Sequence, residues 1–170
     1  MSNIQVDLND EIIDFVTSEK LDLKIDLKES INNIVKFVLE EENLNFENVF
    51  ISIDCTDAEN IRKINKEYRG IDKKTDVLSF PIFEKEELRK LSDVQDEDKK
   101  IKEVELGDII LCLDVVKEHS IEYQTGLLRE VLYMITHGVC HLVGHDHIIE
   151  SDKVKMRAVE EKVLSKIGVK

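Results

Sequence analysis

Leu106-Gly107-Asp108-Ile109-Ile110-Leu111-Cys112-Leu113 is apolar almost throughout. Such a run has the length of a strand and reads as one covered on both faces. Working outward, Asp114 begins a short helix carrying Val115, Val116 and His119, and Thr125 to Leu142 is a longer helix, apolar on most sides. Upstream, Val77 to Phe83 is β-branched and aromatic, and Pro81 near its end predicts an edge position or a strand terminus. Val49 to Asp54 and the alternating Ile4, Val6 and Leu8 predict two more strands. Leu27, Ile31, Ile34, Val35, Val38 and Leu39 follow helical spacing behind a capping Asp26. Thr56 with Glu59 has the pattern of a second capping box, followed by Ile61, Ile64 and Tyr68. Ser151 can cap a last helix with Met156, Val159, Val163 and Ile167 inward. Strands and helices are interspersed, so the class is α/β (α+β): a small mixed sheet of about four strands packed with about five or six helices. The helix that bears His137 and His141 is expected at the centre.

The chain has 170 residues and reads as a single domain, 1–170. Residues 84–105 carry 15 charged side chains and little apolar periodicity, which predicts a flexible, solvated excursion with a short helix near Leu88. No apolar run approaches the roughly 18 residues that span a bilayer. The first ten residues lack a basic start and an apolar signal core. Cys55, Cys112 and Cys140 form no paired spacing, which suits a reducing compartment. These features predict a cytoplasmic location and no membrane partner. The formal charge of −13 argues against a polyanionic partner. Distribution matters more than the sum, and residues 62–74 hold six basic and two acidic side chains.

The chemistry concentrates in His137-Gly138-Val139-Cys140-His141-Leu142-Val143-Gly144-His145-Asp146-His147. Residues four apart share a helix face, so His137 and His141 can present two imidazoles to one ion. Gly144 allows a left-handed turn after the helix, and His147 can then approach from beyond its end. Three neutral imidazoles suit Zn2+ and leave a fourth position open, the catalytic arrangement. Nickel, copper and iron accept the same ligands. Cys140 or His145 could close the site as a fourth ligand, making it structural. The spacing also matches the long zinc-protease motif, but Gly138 stands where that motif needs its general-base glutamate.

The same eleven residues resemble the signature of the YbeY family, bacterial metal-dependent endoribonucleases also called rRNA maturation factors. The likeness extends to residues 65–72 (NKEYRGID) with 75–81 (TDVLSFP), to Leu106-Gly107-Asp108-Ile109, and to Glu130, Met156 and Glu160. It covers roughly residues 45 to 168. The resemblance implies one zinc ion per chain on His137, His141 and His147. It implies cleavage of single-stranded RNA, action on ribosomal RNA at the 3′ end of the small-subunit (16S) molecule, and ribosome quality control. Ribosomal RNA and the ribosome or its proteins are the expected partners, and DNA is not. The family's functional arginine maps onto Arg69. His145 and Cys140 depart from the tyrosine and leucine usual at their positions.

Arg69 and His137 are therefore the catalytic candidates. Arginine's planar fork of donors suits a phosphate. Lys66, Lys73 and Lys74 are candidate RNA contacts. Asp146 is a candidate orienter of a ligand histidine, with Asp76 a further possibility. Glu130 reads as a group behind His137 or as a surface ion pair. Two other functions fit the residues: a zinc hydrolase of peptidase type, and a non-enzymatic ribosome assembly factor with structural zinc.

Overall fold

A computed structural model describes residues 2–18, 26–94, 98 and 103–169. The four strands are β1 (Asn3–Leu8), β2 (Asn48–Cys55), β3 (Val77–Pro81) and β4 (Glu103–Leu111), in the spatial order β1-β2-β4-β3. β1, β2 and β4 run parallel, and β3 pairs antiparallel with β4. The sheet is thus mixed, and β3 is an edge strand that ends on Pro81, where a missing N–H costs little.

Among the described residues there are seven helices: α1 (Asp10–Ser18), α2 (Leu27–Glu41), α3 (Ala58–Arg69), α4 (Lys85–Ser92), α5 (Leu113–Glu122), α6 (Leu127–Leu142) and α7 (Glu150–Lys166). That exceeds the expected five or six. The extra one is α1, only nine residues long, with Ile12 and Val16 buried in the core.

β4 explains the apolar run that fixes the class. On one face Ile109 and Leu111 are fully buried in the main core with α2, α6 and α7. On the other, Ile110 packs with Leu78, Ile61, Cys112 and Val115 in a smaller core under α3 and α5. A strand covered twice needs apolar residues at successive positions. α6 contacts β3, β4, α2, α5 and α7.

Two local expectations are corrected. Asp57, not Thr56, caps α3, accepting a hydrogen bond from the Asn60 N–H at 2.8 Å. A carboxylate beside the hydroxyl competes for the same N–H groups and adds a favourable charge at the helix N-terminus. Ser151 lies inside α7, whose first residue follows Ile149 without a side-chain cap. Within the charged segment the expected short helix is α4, which buries Leu88 against the core, and β4 begins at Glu103. The rest of the segment, except residues 84, 93, 94 and 98, lies outside the described residues.

Candidate metal and RNA site

α6 carries His137 and His141 one turn apart near its C-terminal end. The helix stops at Leu142, and the Gly144 N–H returns to the His141 carbonyl at 3.0 Å while the His145 N–H reaches the Cys140 carbonyl. Gly144 adopts φ 101°, and a Cβ there would lie 2.5 Å from Lys85 Cβ. Glycine is needed for both reasons. Asp146 Oδ1 then accepts the backbone N–H groups of His147 and Ile148 at 2.6 and 3.2 Å. This brings His147 back over the helix end.

The three rings converge. His141 Nε2 lies 3.2 Å from His137 Nε2 and 3.1 Å from His147 Nδ1. One nitrogen from each ring falls within 4.8 Å of the others. Four-coordinate zinc with bonds of 2.0–2.1 Å places its ligand nitrogens about 3.3 Å apart. Proton placement agrees. His141 Nδ1 lies 2.9 Å from the His145 carbonyl, which only accepts, so Nδ1 carries the hydrogen and Nε2 is bare. His137 Nδ1 faces the Glu160 carboxylate at 3.0 Å, so in the neutral ring the hydrogen sits on Nδ1 and Nε2 is bare as well. Two lone pairs therefore point at one another across 3.2 Å, an arrangement that a shared cation relieves. Burial, and then the neighbouring His137 and His147, hold the His141 pKa down at about 4. Its neutral, metal-binding form is thereby favoured.

Glu160 is the partner that sequence reasoning did not assign. It is 3% exposed, on the inner face of α7, and also hydrogen-bonds Tyr133. Burial and the Glu160 charge push the Tyr133 phenol up to about 12. A carboxylate on the apolar stripe Met156, Glu160, Val163, Leu164 was the available signal, since a buried acid demands a partner.

Other candidates fall elsewhere. Asp146 binds backbone N–H groups of its own loop. Asp76 pairs with His119 Nδ1 at 3.1 Å. Glu130 is 5% exposed, accepts from the Thr125 hydroxyl and pairs with Arg129 at 3.7 Å, so its ion pair forms as expected but with the carboxylate buried. His145 Nε2 is hydrogen-bonded to Glu42, and that bond lowers the Glu42 pKa. Cys140 is fully buried in the core, and burial raises its thiol pKa. Gly138 faces the sheet: a Cβ would meet Ile109 Cδ1 at 2.8 Å.

His141 and His147 open on a cleft of about 860 Å³ lined also by Arg69, Ser79, Ile82 and Lys85, among others, with His137 behind them in the cluster. Arg69, the last residue of α3, donates to the Ser79 carbonyl on β3 at 3.3 Å. It is the one basic residue of the 62–74 run on this cleft. Lys73 and Lys74 line a separate hollow with Arg62 and Asp72. Lys66 and Lys74 form ion pairs with Asp72 and Glu118. Lys85, within the charged excursion, supplies the cleft's second cation.

Fold and cluster together define a mixed α/β protein with three convergent histidines, able to hold a metal ion at the floor of an open cleft. The chain belongs to the endoribonuclease YbeY family, whose profile matches residues 14–168. It is 42% identical over 156 residues to the endoribonuclease YbeY of Clostridium perfringens (strain SM101), covering 88% of this chain and 92% of that protein. It is 41% identical over 146 residues to that of Thermoanaerobacter sp. (strain X514), covering 85% and 90%. The solution structure of TM1509 from Thermotoga maritima has the same fold, with TM-score 0.52 and 24% identity over 96% of this chain and 91% of that one.

Proposed function

We propose that the chain is a zinc-dependent endoribonuclease that cuts single-stranded RNA, and that it acts in the cytoplasm in ribosomal RNA maturation, at the 3′ end of 16S rRNA, and in ribosome quality control. The observation that carries this reading is the three-imidazole cluster opening onto a cleft that also holds Arg69. Family membership supports the substrate class. His137, His141 and His147 fit a single zinc ion, which would supply Lewis acidity at the scissile phosphate.

The rest of the task falls to the chain's own groups. Arg69 binds a phosphate through its fork and stabilises charge as it develops. The Ser79 carbonyl restrains that guanidinium. Glu160 orients His137. RNA leaving the cleft past Ile71 reaches Lys73 and Lys74, of which Lys74 must release Glu118 to bind it.

A peptidase reading is weakened at one position. A glutamate at 138 would enter the core against Ile109 rather than the cleft. The assembly-factor reading needs zinc for folding alone.

The deciding experiment uses purified protein, never exposed to chelator, with single-stranded and duplex RNA of one sequence and a peptide library. One equivalent of metal, cleavage of the single strand only, and loss of cleavage with retained helical circular dichroism after chelation are expected. Peptide cleavage without RNA cleavage would favour the peptidase. Unfolding on chelation, with no RNA cleavage beforehand, would favour the structural role.

A further inference from the structure

Ile71, Ile82 and Ile148 are 49%, 50% and 84% exposed, and all three line the histidine cleft. Single exposed apolar side chains are ordinary and need no explanation, but three on one reactive cleft are not scatter. Pro81 and Phe83 extend the same apolar lining.

The backbones of these isoleucines are anchored. The Ile71 N–H bonds the Asn65 carbonyl at 3.4 Å, the Ile82 N–H bonds the Leu106 carbonyl at 3.1 Å, and the Ile148 N–H bonds Asp146 Oδ1 at 3.2 Å. The side chains are thus held in water rather than left there by a loose loop.

Charge narrows what covers them once the cleft is read as a ribonuclease site. Arg69 and Lys85 are the cations on the cleft, against Glu84, Glu87 and Asp146. A strand held there by phosphates alone would find few partners on a chain of net charge −13. Nucleobases offer flat, weakly hydrated faces that pack on apolar side chains, and only unpaired nucleotides can turn those faces outward. Ile71 follows Arg69 across the left-handed Gly70, and Ile148 follows the ligand His147. Two of the isoleucines therefore leave the chain next to the groups assigned to the phosphate, Ile71 beside Arg69 and Ile148 beside His147, and all three share the cleft.

We infer that Ile71, Ile82 and Ile148 form base-holding subsites that grip unpaired nucleotides on either side of the scissile phosphate. This rests on the ribonuclease reading of the cleft and adds its specificity element. The chain discriminates single strands from duplexes by bases rather than by backbone shape.

The test uses metal-loaded protein, its Ile71→Ser and Ile82→Ser variants, and a labelled single-stranded oligoribonucleotide with one abasic residue placed at each position around the cut in turn. Each serine variant should raise KM about fivefold to tenfold on intact RNA, the scale of losing burial of half an isoleucine side chain, with metal content and melting temperature unchanged. One abasic position should cost the wild-type protein a similar factor and cost the matching variant little more. Unchanged KM in both variants would overturn the assignment and point to a protein partner on this rim. Independent, multiplying losses would overturn it as well. If the wild-type protein cleaves the peptide library and no RNA, the ribonuclease reading fails first and the subsites fall with it.

Discussion

Glu160 Oε1 lies 3.0 Å from Nδ1 of His137, across the interface between α7 and α6. The carboxylate fixes the imidazole's tautomer and turns the bare Nε2 toward His141. Tyr133 holds the same carboxylate from another side. Replacing it with an amide of the same shape keeps the packing but removes the charge and leaves the tautomer free. Glu160→Gln should lower metal affinity by about 10- to 100-fold. Competition against a chromogenic chelator measures this directly, without reference to catalysis. Wild-type affinity in that variant would show that the ring is oriented by other means.

At Gly138 α6 packs directly on β4. A Cβ would lie 2.8, 3.1 and 3.2 Å from three side-chain carbons of Ile109, itself fully buried. Alanine is the better helix former by about 1 kcal/mol, but overpacking a tight core costs about 1–3 kcal/mol. Contacts to Cγ1 and Cγ2 leave Ile109 little room to yield, so the steric effect wins. Gly138→Ala should lower stability by about 1 kcal/mol, read from the urea midpoint at unchanged m-value. Gly138→Glu should fail to fold, or fold only as a far less stable protein, and should gain no peptidase activity.

How much of this was legible follows from sequence distance. The triad of histidines could be read because its logic is local: a four-residue helical spacing, then a glycine break. Strand β4 could be read because two-sided burial writes an apolar run interrupted only by Asp108. Glu160 could not be assigned, since its partner His137 lies 23 residues away on another helix and the pairing depends on how α6 and α7 pack. Lys85 was hidden for the opposite reason. It sits in a segment so charged that no single cation stands out, and only folding carries it to the cleft beside Gly144. The shift from Thr56 to Asp57 shows the ordinary limit at helix starts, where adjacent residues can both cap.

Cys55 offers a pH-dependent check. Burial, then the Glu11 charge, pushes its thiol up to about 11. Only the thiolate is alkylated. At pH 8 on the order of one molecule in a thousand would be ionised, against about a quarter for an unperturbed thiol near 8.5. Iodoacetamide should therefore modify Cys55 slowly at pH 8, with a rate rising about tenfold per pH unit and levelling near 11. The unfolded chain releases this proton first, so the thiol's contribution to stability falls as pH rises between about 8.5 and 11. Glu11→Gln should shift the rate profile to lower pH. Mass spectrometry of the modified peptide follows both effects, and fast labelling of native protein at pH 8 would contradict them.

Arg69 separates charge from geometry. Its Nη2 donates to the Ser79 carbonyl on the free edge of the sheet, and the guanidinium shares a cleft with His141 and His147. Lysine at this position would keep the positive charge but lose the planar fork. If charge alone mattered, Arg69→Lys would cleave RNA nearly as well as the wild type, and Arg69→Ala would not. If the fork is required to hold two oxygens of one phosphate, both variants should fall together in kcat, by about 100-fold, the scale of one preorganised donor lost from a charge-developing site. The structure favours the second outcome, because the Ser79 contact already fixes the plane of the group and a lysine ammonium has no plane to fix. The carbonyl bond is long and the residue exposed, so neither change should move the melting temperature by more than a degree or two. Single-turnover cleavage of a labelled oligoribonucleotide at saturating enzyme isolates the step. A lysine variant with wild-type kcat would reduce Arg69 to a point charge.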